Sequence, residues 1–155
     1  MRKPRPAKEF VCRNKKASHR FELLEKIECG IVLVGSEVKT LRERNGSLDE
    51  AYARIEGGEL WLIGFHIAAY KHAPSQSHEA MRPRKLLVHA RQLRKLEQKM
   101  RLKGFTLVPV EAFFSPRGHL KIMLALARGK ARSDKRQDLK ARDAKREMDR
   151  ATRRR

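Results

Sequence analysis

The sequence predicts a mainly β protein, namely a small antiparallel OB-like β-barrel with two or three short helices and a basic C-terminal tail. Six or seven short apolar segments are separated by turn residues, which is typical of antiparallel strands. Closing such a sheet into a barrel removes the edges that many short strands would otherwise expose. The composition changes abruptly after residue 127, where apolar residues become scarce and charged residues dominate.

Composition divides the 155 residues into three parts. Residues 1–8 are rich in Pro, Lys and Arg and are predicted to be disordered. Residues 9–127 form the predicted OB-like barrel. Residues 128–155 carry 13 Lys and Arg against five Asp and Glu, a net charge of +8, and only a narrow apolar stripe. Helices of this quality are marginal in water, so the tail is expected to be disordered when free and helical on a partner.

The most apolar stretch, residues 27–34, is rich in β-branched residues and is interrupted by one carboxylate, Glu28. It predicts a central strand that is buried on both faces. Gly35 and Ser36 end this strand, and a short helix is predicted to follow with Ser36 as its N-cap. Asn45 and Gly46 are residues typical of the end of a helix.

The remaining elements follow from turn signals and periodicity. Gly57-Gly58 between two apolar segments predicts a β-hairpin, and residues 71–84 predict a mobile loop. Apolar residues at helical spacing predict an amphipathic helix from Ala90 to Met100, which Gly104 stops. Pro109 predicts an edge or a bulge in the strand that contains it. Further strands are predicted at residues 9–13, 51–55, 59–63, 85–88, 105–114 and 119–127.

The net charge of +20 and the pI near 10.8 predict a polyanionic partner. Nucleic acid is the commonest such partner, and an anionic membrane surface is its main rival. No segment approaches the roughly 20 apolar residues of a membrane span. The basic N-terminus has no apolar segment after it, so it does not resemble a secretory signal. Cys12 and Cys29 form no disulfide framework. We therefore expect a cytoplasmic location and no membrane partner.

Catalytic and metal sites find little support in the sequence. The six histidines are scattered, and none pairs with a cysteine or another histidine at ligand spacing, so no metal and no cofactor are expected. No nucleophile motif and no paired carboxylates occur, which favours a protein that is not an enzyme. His66 and His72, beside Lys71, keep an RNA-cleaving acid–base pair as the rival from another functional class.

Glu28 admits two interpretations. Strands often carry one solvated carboxylate. In a strongly basic protein, however, a carboxylate can accept hydrogen bonds from base amino groups or a 2′-hydroxyl, which Lys and Arg cannot do. The pattern alone leaves both open.

Seven motifs occur in the order seen in the SsrA-binding protein family (small protein B), which the chain resembles along nearly its whole length. These motifs are Asn14-Lys15-Lys16-Ala17, Glu28-Cys29-Gly30, residues 35–42, Asp49-Glu50-Ala51-Tyr52, Arg84-Lys85-Leu86-Leu87, residues 103–109 and Asp134-Lys135-Arg136.

The resemblance implies an RNA-binding adaptor that binds the tRNA-like domain of transfer-messenger RNA and brings it to stalled ribosomes for trans-translation. It implies that Asn14, Glu28 and Leu87 grip the RNA at its tRNA-like elbow. The basic residues in or beside the same motifs would contact phosphates; these are Lys15, Lys16, Lys39, Arg42, Arg84 and Lys85.

The tail would occupy the decoding centre and the empty messenger channel of the ribosome. The tail residues that the resemblance implies are Gly129, Lys130, Arg132, Asp134, Lys135, Arg136, Lys140 and Arg142. Two positions depart from the family pattern: Ala131 replaces the second lysine of a Gly-Lys-Lys sequence, and Ala144 stands where many members have a large aromatic residue.

The expected partners are transfer-messenger RNA, the ribosome and, indirectly through the charged RNA, elongation factor Tu, with the protein itself a monomer. The alternative function is that of a general ribosome- or RNA-associated OB-fold RNA chaperone.

Overall fold

The computed structural model describes residues 8–153. The predicted disordered segment 1–8 therefore lies, except for Lys8, outside the described residues. The strands are β1 (Glu9–Arg13), β2 (Phe21–Ile31), β3 (Gly46–Ser47), β4 (Tyr52–Glu56), β5 (Glu59–Ile63), β6 (His66–Ile67), β7 (Arg84–Leu87), β8 (Phe105–Phe114) and β9 (Leu120–Gly129). The α-helices are α1 (Ala17–Arg20), α2 (Gly35–Arg42), α3 (Ala90–Met100) and α4 (Arg132–Arg153), and Pro74–Gln76 is a 3₁₀ turn.

Seven strands form one antiparallel sheet in the order β1-β8-β4-β5-β7-β2-β9, and β9 also pairs with β8. The pairing therefore returns to β8 and closes six strands into a near-barrel ring, with β1 attached along β8. The antiparallel sheet is confirmed. With four helices, one of them of 22 residues, the chain is a mixed α/β structure and not the mainly β structure predicted.

One apolar core fills the ring. It includes Leu62 and Ile122 from the strands, Leu41 from α2 and Leu96 from α3, all of which are buried. Leu96 is the only fully buried residue of α3, and Leu93 and Met100 pack beside it. The amphipathic helix predicted at this position is confirmed, and it lays its apolar stripe against the ring.

The prediction of a central strand buried on both faces is wrong. β2 ends at Ile31, and within it Ile27 and Cys29 are buried while Glu28 between them is exposed. Val32 and Val34, beyond the strand, are each 46 % exposed. A sheet rolled into a ring has only its inner face in the core, so β2 alternates between core and surface.

The predicted N-cap of α2 is also wrong. The cap is Val34, whose N–H donates to the carboxylate of Glu37 at 3.0 Å. This bond satisfies one of the free N–H groups at the start of the helix, so a serine cap is not needed. Ser36 lies inside the first turn, and its Oγ is 3.0 Å from Nδ1 of His78.

Two turn predictions are confirmed. Gly57 and Gly58 join β4 to β5 with φ values of 59° and 73°, a backbone conformation that glycine adopts without strain. The register between β8 and β9 shifts between Pro109 and Glu111, so proline marks a bulge inside a buried strand.

The segment predicted as a mobile loop, residues 71–84, is mostly irregular but has several anchors. Nε2 of His78 is 3.1 Å from the carbonyl oxygen of Ile67. The hydroxyl of Ser77 accepts from the N–H of Tyr70 at 2.8 Å. The strongest anchors are Arg82 and Arg84, which reach Glu37 of α2.

Helix α4 follows β9 directly and buries none of its side chains. Over residues 8–153, no helix combines the length and the apolar character that crossing a membrane requires.

Candidate nucleic-acid interface

Glu28 and Leu87, which the sequence predicts as RNA-gripping residues, line one surface groove of about 380 Å³. Register brings them together, because Gly30 of β2 pairs with Leu87 of β7 and with Lys121 of β9. The side chain of Glu28 is 47 % exposed, and Leu87 is 50 % exposed. An exposed leucine beside a carboxylate and a lysine offers one apolar contact, one acceptor and one cation to a single ligand.

Gly30 keeps this groove open. A Cβ atom at this position would lie only 3.2 Å from Cβ of Leu87, which is tighter than nine in ten real contacts. Any other residue here would require Leu87 to shift by a few tenths of an ångström and would place its side chain over the floor between β2 and β7. The closeness of Leu87 therefore explains why glycine occupies the last position of the Glu28-Cys29-Gly30 motif.

The carboxylate of Glu28 is not committed to an internal partner. Among residues 8–153, the cation nearest to it is Nζ of Lys8 at 3.9 Å, and both side chains are 47 % exposed. Exposed pairs of this length contribute little to stability. Glu28 is therefore available to accept hydrogen bonds from a ligand.

Two predicted contact residues lie inside the protein. Arg84 has no exposed surface; its Nε donates to Glu37 at 2.8 Å and its Nη1 to the carbonyl oxygen of Phe65 at 2.6 Å. Its place in a strand motif next to Lys85 does not reveal this inward orientation. As placed, Arg84 cannot touch a phosphate, and it instead ties β7 to α2.

Asn14 is 7 % exposed, and its amide is fully used. Nδ2 donates to the carbonyl oxygens of Leu48 and Pro109 at 3.1 and 3.2 Å, and Oδ1 accepts from the N–H of Ala17 at 3.1 Å. These bonds fix the corner between β1 and α1.

Glu37 is the buried acid that holds the α2 side of the interface. Burial by itself raises the pKa of its carboxyl, but hydrogen bonds from Arg82, the N–H of Val34 and Arg84 outweigh burial and hold that pKa below its ordinary value. Burial lowers the pKa of the Arg84 guanidinium, and Glu37 opposes that shift. The cluster is thus a carboxylate between two guanidinium groups.

The exposed predicted cations are spread over several places and do not form one cluster. Lys39 of α2 has its Nζ 5.4 Å from the ring centroid of Tyr70, and the Arg42 guanidinium lies 4.7 Å from the ring centroid of Phe114. Lys16 is 3.5 Å from Glu50 at the β1–α1 corner, next to the exposed Lys15. Lys85 binds Glu59 on the neighbouring strand.

α2 is linked to the groove by a second depression of about 380 Å³, which is lined in part by Val38, Leu87 and Lys121. Lys39, one residue after Val38, borders a further groove under the 70–82 segment. The residues of β2, β7, β9 and α2 therefore share one continuous region of the surface.

The root of the tail is anchored by Lys130. Its N–H donates to the carbonyl oxygen of Arg20 at 3.2 Å, and its Nζ donates to the carbonyl oxygen of Ser18 at 2.8 Å and binds Asp138. The hydrogen bond from Lys130 lowers the pKa of the Asp138 carboxyl. The predicted tail residues on α4 are exposed or half-buried: Arg132, Asp134, Lys135, Arg136, Lys140 and Arg142.

The two histidines of the enzymatic alternative lie in different segments. His66 lies in β6, while His72 lies in the following loop with its Nε2 3.6 Å from Glu43. Burial raises the pKa of the Cys12 thiol to about 11 and that of Cys29 to about 12, so neither is a nucleophile at neutral pH. Between residues 8 and 153, no three His, Cys, Asp or Glu side chains are close enough to hold a metal ion.

Lys121 is the groove residue that the sequence analysis missed. Its signal was present in the alternation of β9, where Leu120, Ile122 and Leu124 are buried and Lys121 between them points outward. A lysine on the outer face of a strand becomes a candidate only once the register places it opposite Gly30.

Several known proteins are similar to this chain. The family model described as SmpB protein matches residues 11–154. The SsrA-binding protein of Syntrophobacter fumaroxidans is 47 % identical over 146 residues, which cover 94 % of this chain and 90 % of that protein. The SsrA-binding protein of Symbiobacterium thermophilum is 50 % identical over 143 residues, which cover 92 % and 90 %.

A solved structure described as "tmRNA-SmpB: a journey to the center of the bacterial ribosome" is also similar. Its matching chain superposes with a TM-score of 0.67 at 41 % sequence identity. The match covers 83 % of this chain and 93 % of that one.

Proposed function

Because the chain belongs to the SmpB protein family, we propose that it is an SsrA-binding protein, a non-enzymatic adaptor that acts with transfer-messenger RNA in trans-translation on the ribosome. The observation that carries this proposal is the match of the family model from residue 11 to residue 154, which includes both the groove residues and the tail. The groove of Glu28, Leu87 and Lys121 supplies the chemistry for holding an RNA.

The tRNA-like domain of the RNA binds in this groove. Glu28 accepts hydrogen bonds from base amino groups or a 2′-hydroxyl, Leu87 packs on a base or sugar, and Lys121 contacts a phosphate. The exposed and half-buried cations around the groove and on α2 and the β1–α1 corner add phosphate contacts; they are Lys15, Lys16, Lys39, Arg42 and Lys85.

Asn14 and Arg84 serve the interface by positioning other residues. The amide of Asn14 holds the corner that presents Lys15 and Lys16. The guanidinium of Arg84 holds β7 against Glu37 of α2, and β7 presents Leu87. Both roles follow from side chains whose polar atoms are used inside the protein.

The ring of strands is an OB-like barrel spanning residues 9–127, and residues 128–155 form a tail whose first two residues, Arg128 and Gly129, end β9. The closed pairing of β8, β9 and β2 supports the first statement. The absence of buried side chains in α4 supports the second, because this helix adds no side chain to the core of the barrel. The tail is disordered in the free protein and becomes helical in the decoding centre and messenger channel.

The adaptor works as a monomer in the cytoplasm. It meets elongation factor Tu only through the charged RNA. Its two RNA-binding parts, the groove and the tail, bring one RNA to another.

A competition assay tests the proposal. A labelled tRNA-like domain is bound to the protein and displaced by the same unlabelled RNA or by an unrelated structured RNA of equal length. We expect the cognate RNA to compete better by about a hundredfold or more at physiological salt. Equal competition would mean a general RNA chaperone. RNA that is cut during prolonged incubation would indicate a processing enzyme instead.

A further inference from the structure

The outer face of α3 is strongly cationic. From residue 91 to residue 103 the chain has six Lys and Arg and a single acid, Glu97. At 100° per residue, Arg91, Arg94 and Lys95 lie on the side of the helix opposite the centre of its apolar stripe, and all three are exposed. Arg101 and Lys103 continue the charge beyond the last turn.

These three cations lie together on one helix face and lack acidic partners among the residues that the structure describes, whereas Arg13, Lys16 and Lys85 elsewhere on the barrel have them. Within residues 8–153, Arg91, Arg94 and Lys95 make no ion pair. Lys99, on the flank of the same helix, is bound to Glu25 of β2. Mutual repulsion among unpaired cations is unfavourable unless an anion accompanies them.

The helix starts at the groove. His89, its N-cap residue, and Gln92, in its first turn, line the groove together with Glu28 and Leu87. From there the cationic face extends over about 15 Å between positions 91 and 101. A nucleic-acid strand that leaves the groove in this direction would meet one guanidinium or ammonium group after another.

We propose that this face, defined by Arg91, Arg94 and Lys95, binds the phosphate backbone of the stem that continues from the RNA held in the groove. The inference rests on the proposed function and adds to it a docking direction for the RNA. It is a contact with phosphates and not with bases, because Arg and Lys spaced along one exposed helix face match the repeating charge of a backbone.

The salt dependence of binding tests the proposal. Removing one phosphate-binding cation lowers the slope of log affinity against log salt by about 0.7 to 0.9. The variant Arg91→Gln/Arg94→Gln/Lys95→Gln keeps helix-forming residues at all three positions. We expect its slope for the tRNA-like RNA to be lower than the wild-type slope by about 2, with helix content unchanged by circular dichroism.

The chain offers a matched control in Lys145→Gln/Arg150→Gln/Arg153→Gln. This variant removes the same residue types and the same charge from exposed positions of α4. We expect it to keep the wild-type slope for the isolated RNA. An equal change of the salt slope in both variants would mean that the slope depends only on net charge, which would overturn the proposal.

Two further outcomes would also overturn it: an unchanged slope in the α3 variant, or a defect that appears only in ribosome binding. The competition assay separates this failure from failure of the proposed function. If the wild-type protein prefers the tRNA-like RNA but the salt slope of the α3 variant is unchanged, the proposed phosphate contact is wrong and the proposed function stands. If the wild-type protein shows no preference for the tRNA-like RNA but the α3 variant has a lower salt slope, the proposed function is wrong and the phosphate contact stands.

Discussion

The carboxylate of Glu37 accepts a hydrogen bond from Nε of Arg84 at 2.8 Å, and neither side chain has any exposed surface. This pair joins α2 to β7, the strand that presents Leu87 to the groove. Arg82 completes the cluster with two bonds of 2.8 Å to the same carboxylate. The buried carboxylate of Glu37 therefore holds α2 and β7 together beneath the candidate interface.

Replacing Glu37 by Gln should destabilise the fold strongly. The change leaves a buried guanidinium without its counter-charge, which typically costs about 3–5 kcal/mol. Urea unfolding measures the loss. The control is Glu43→Gln at the exposed C-terminal end of the same helix, which should change the free energy of unfolding by less than about 0.5 kcal/mol. Similar values for the two variants would contradict a structural role for the cluster.

The pH dependence of stability in the wild type and in Glu37→Gln gives a second prediction. The pKa of Glu37 is lower in the folded chain than its ordinary value of 4.5, so the folded state binds fewer protons there than the unfolded state. The stability that the ionised Glu37 carboxylate contributes is complete above its ordinary pKa and disappears as the pH falls through the folded pKa. The stability difference between wild type and Glu37→Gln should therefore narrow below about pH 4.5. A constant difference down to pH 2.5 would be inconsistent with a depressed pKa.

Replacing Glu28 by Ala should weaken RNA binding although it makes the protein more basic. The loss of an acceptor for a base or a 2′-hydroxyl is worth about 1–3 kcal/mol, or roughly 5- to 150-fold in affinity. The control is Glu22→Ala, which removes an equally exposed acid from the same strand, where it pairs with Arg128. Binding that becomes tighter in both variants would make Glu28 a solvated strand residue only.

Replacing Asn14 by Ala should lower stability by about 1–3 kcal/mol, because two buried carbonyl oxygens lose their donor. RNA affinity measured under folding conditions should fall as well, since the corner that presents Lys15 and Lys16 loosens. Asn45→Ala serves as the control, because its amide bonds only to the exposed Glu43. Weaker binding with unaltered stability would mean that Asn14 touches the RNA directly.

Cutting the chain after Lys130 should separate the two RNA-binding parts. This cut keeps β9 whole, because the strand runs to Gly129 and the Lys130 N–H bonds to Arg20. We expect binding of transfer-messenger RNA to stay within about twofold of wild type, since the groove is untouched, and tagging of stalled peptides to disappear. Loss of both activities, or of neither, would contradict two separate parts.

The sequence revealed elements whose signals are local. Gly57-Gly58 specified a hairpin through the backbone conformation that both residues adopt, and Pro109 specified a bulge through its missing N–H. The periodicity of Leu93, Leu96 and Met100 specified α3. Each of these signals acts within a few residues and needs no knowledge of the fold.

The contacts between distant segments could not be predicted in the same way. Arg84 looks like a surface cation because it adjoins Lys85, and only the packing of β7 against α2 turns it towards Glu37, 47 residues earlier. Lys121 gains its place in the groove from strand register, as does the opposition of Gly30 and Leu87. Pairing partners far apart in sequence decide which of two neighbouring cations faces water.

Strand β9 carries Lys121 near one end and joins the tail at the other. Because it is hydrogen-bonded to β2 on one side and β8 on the other, it cannot stretch or slip without turning its buried residues outward. Eight residues at about 3.3 Å each place the groove and the root of the tail roughly 26 Å apart. Strand β9 therefore fixes the distance between the groove and the root of the tail. A ligand in the groove is held at a set spacing from a partner that binds the tail at its root.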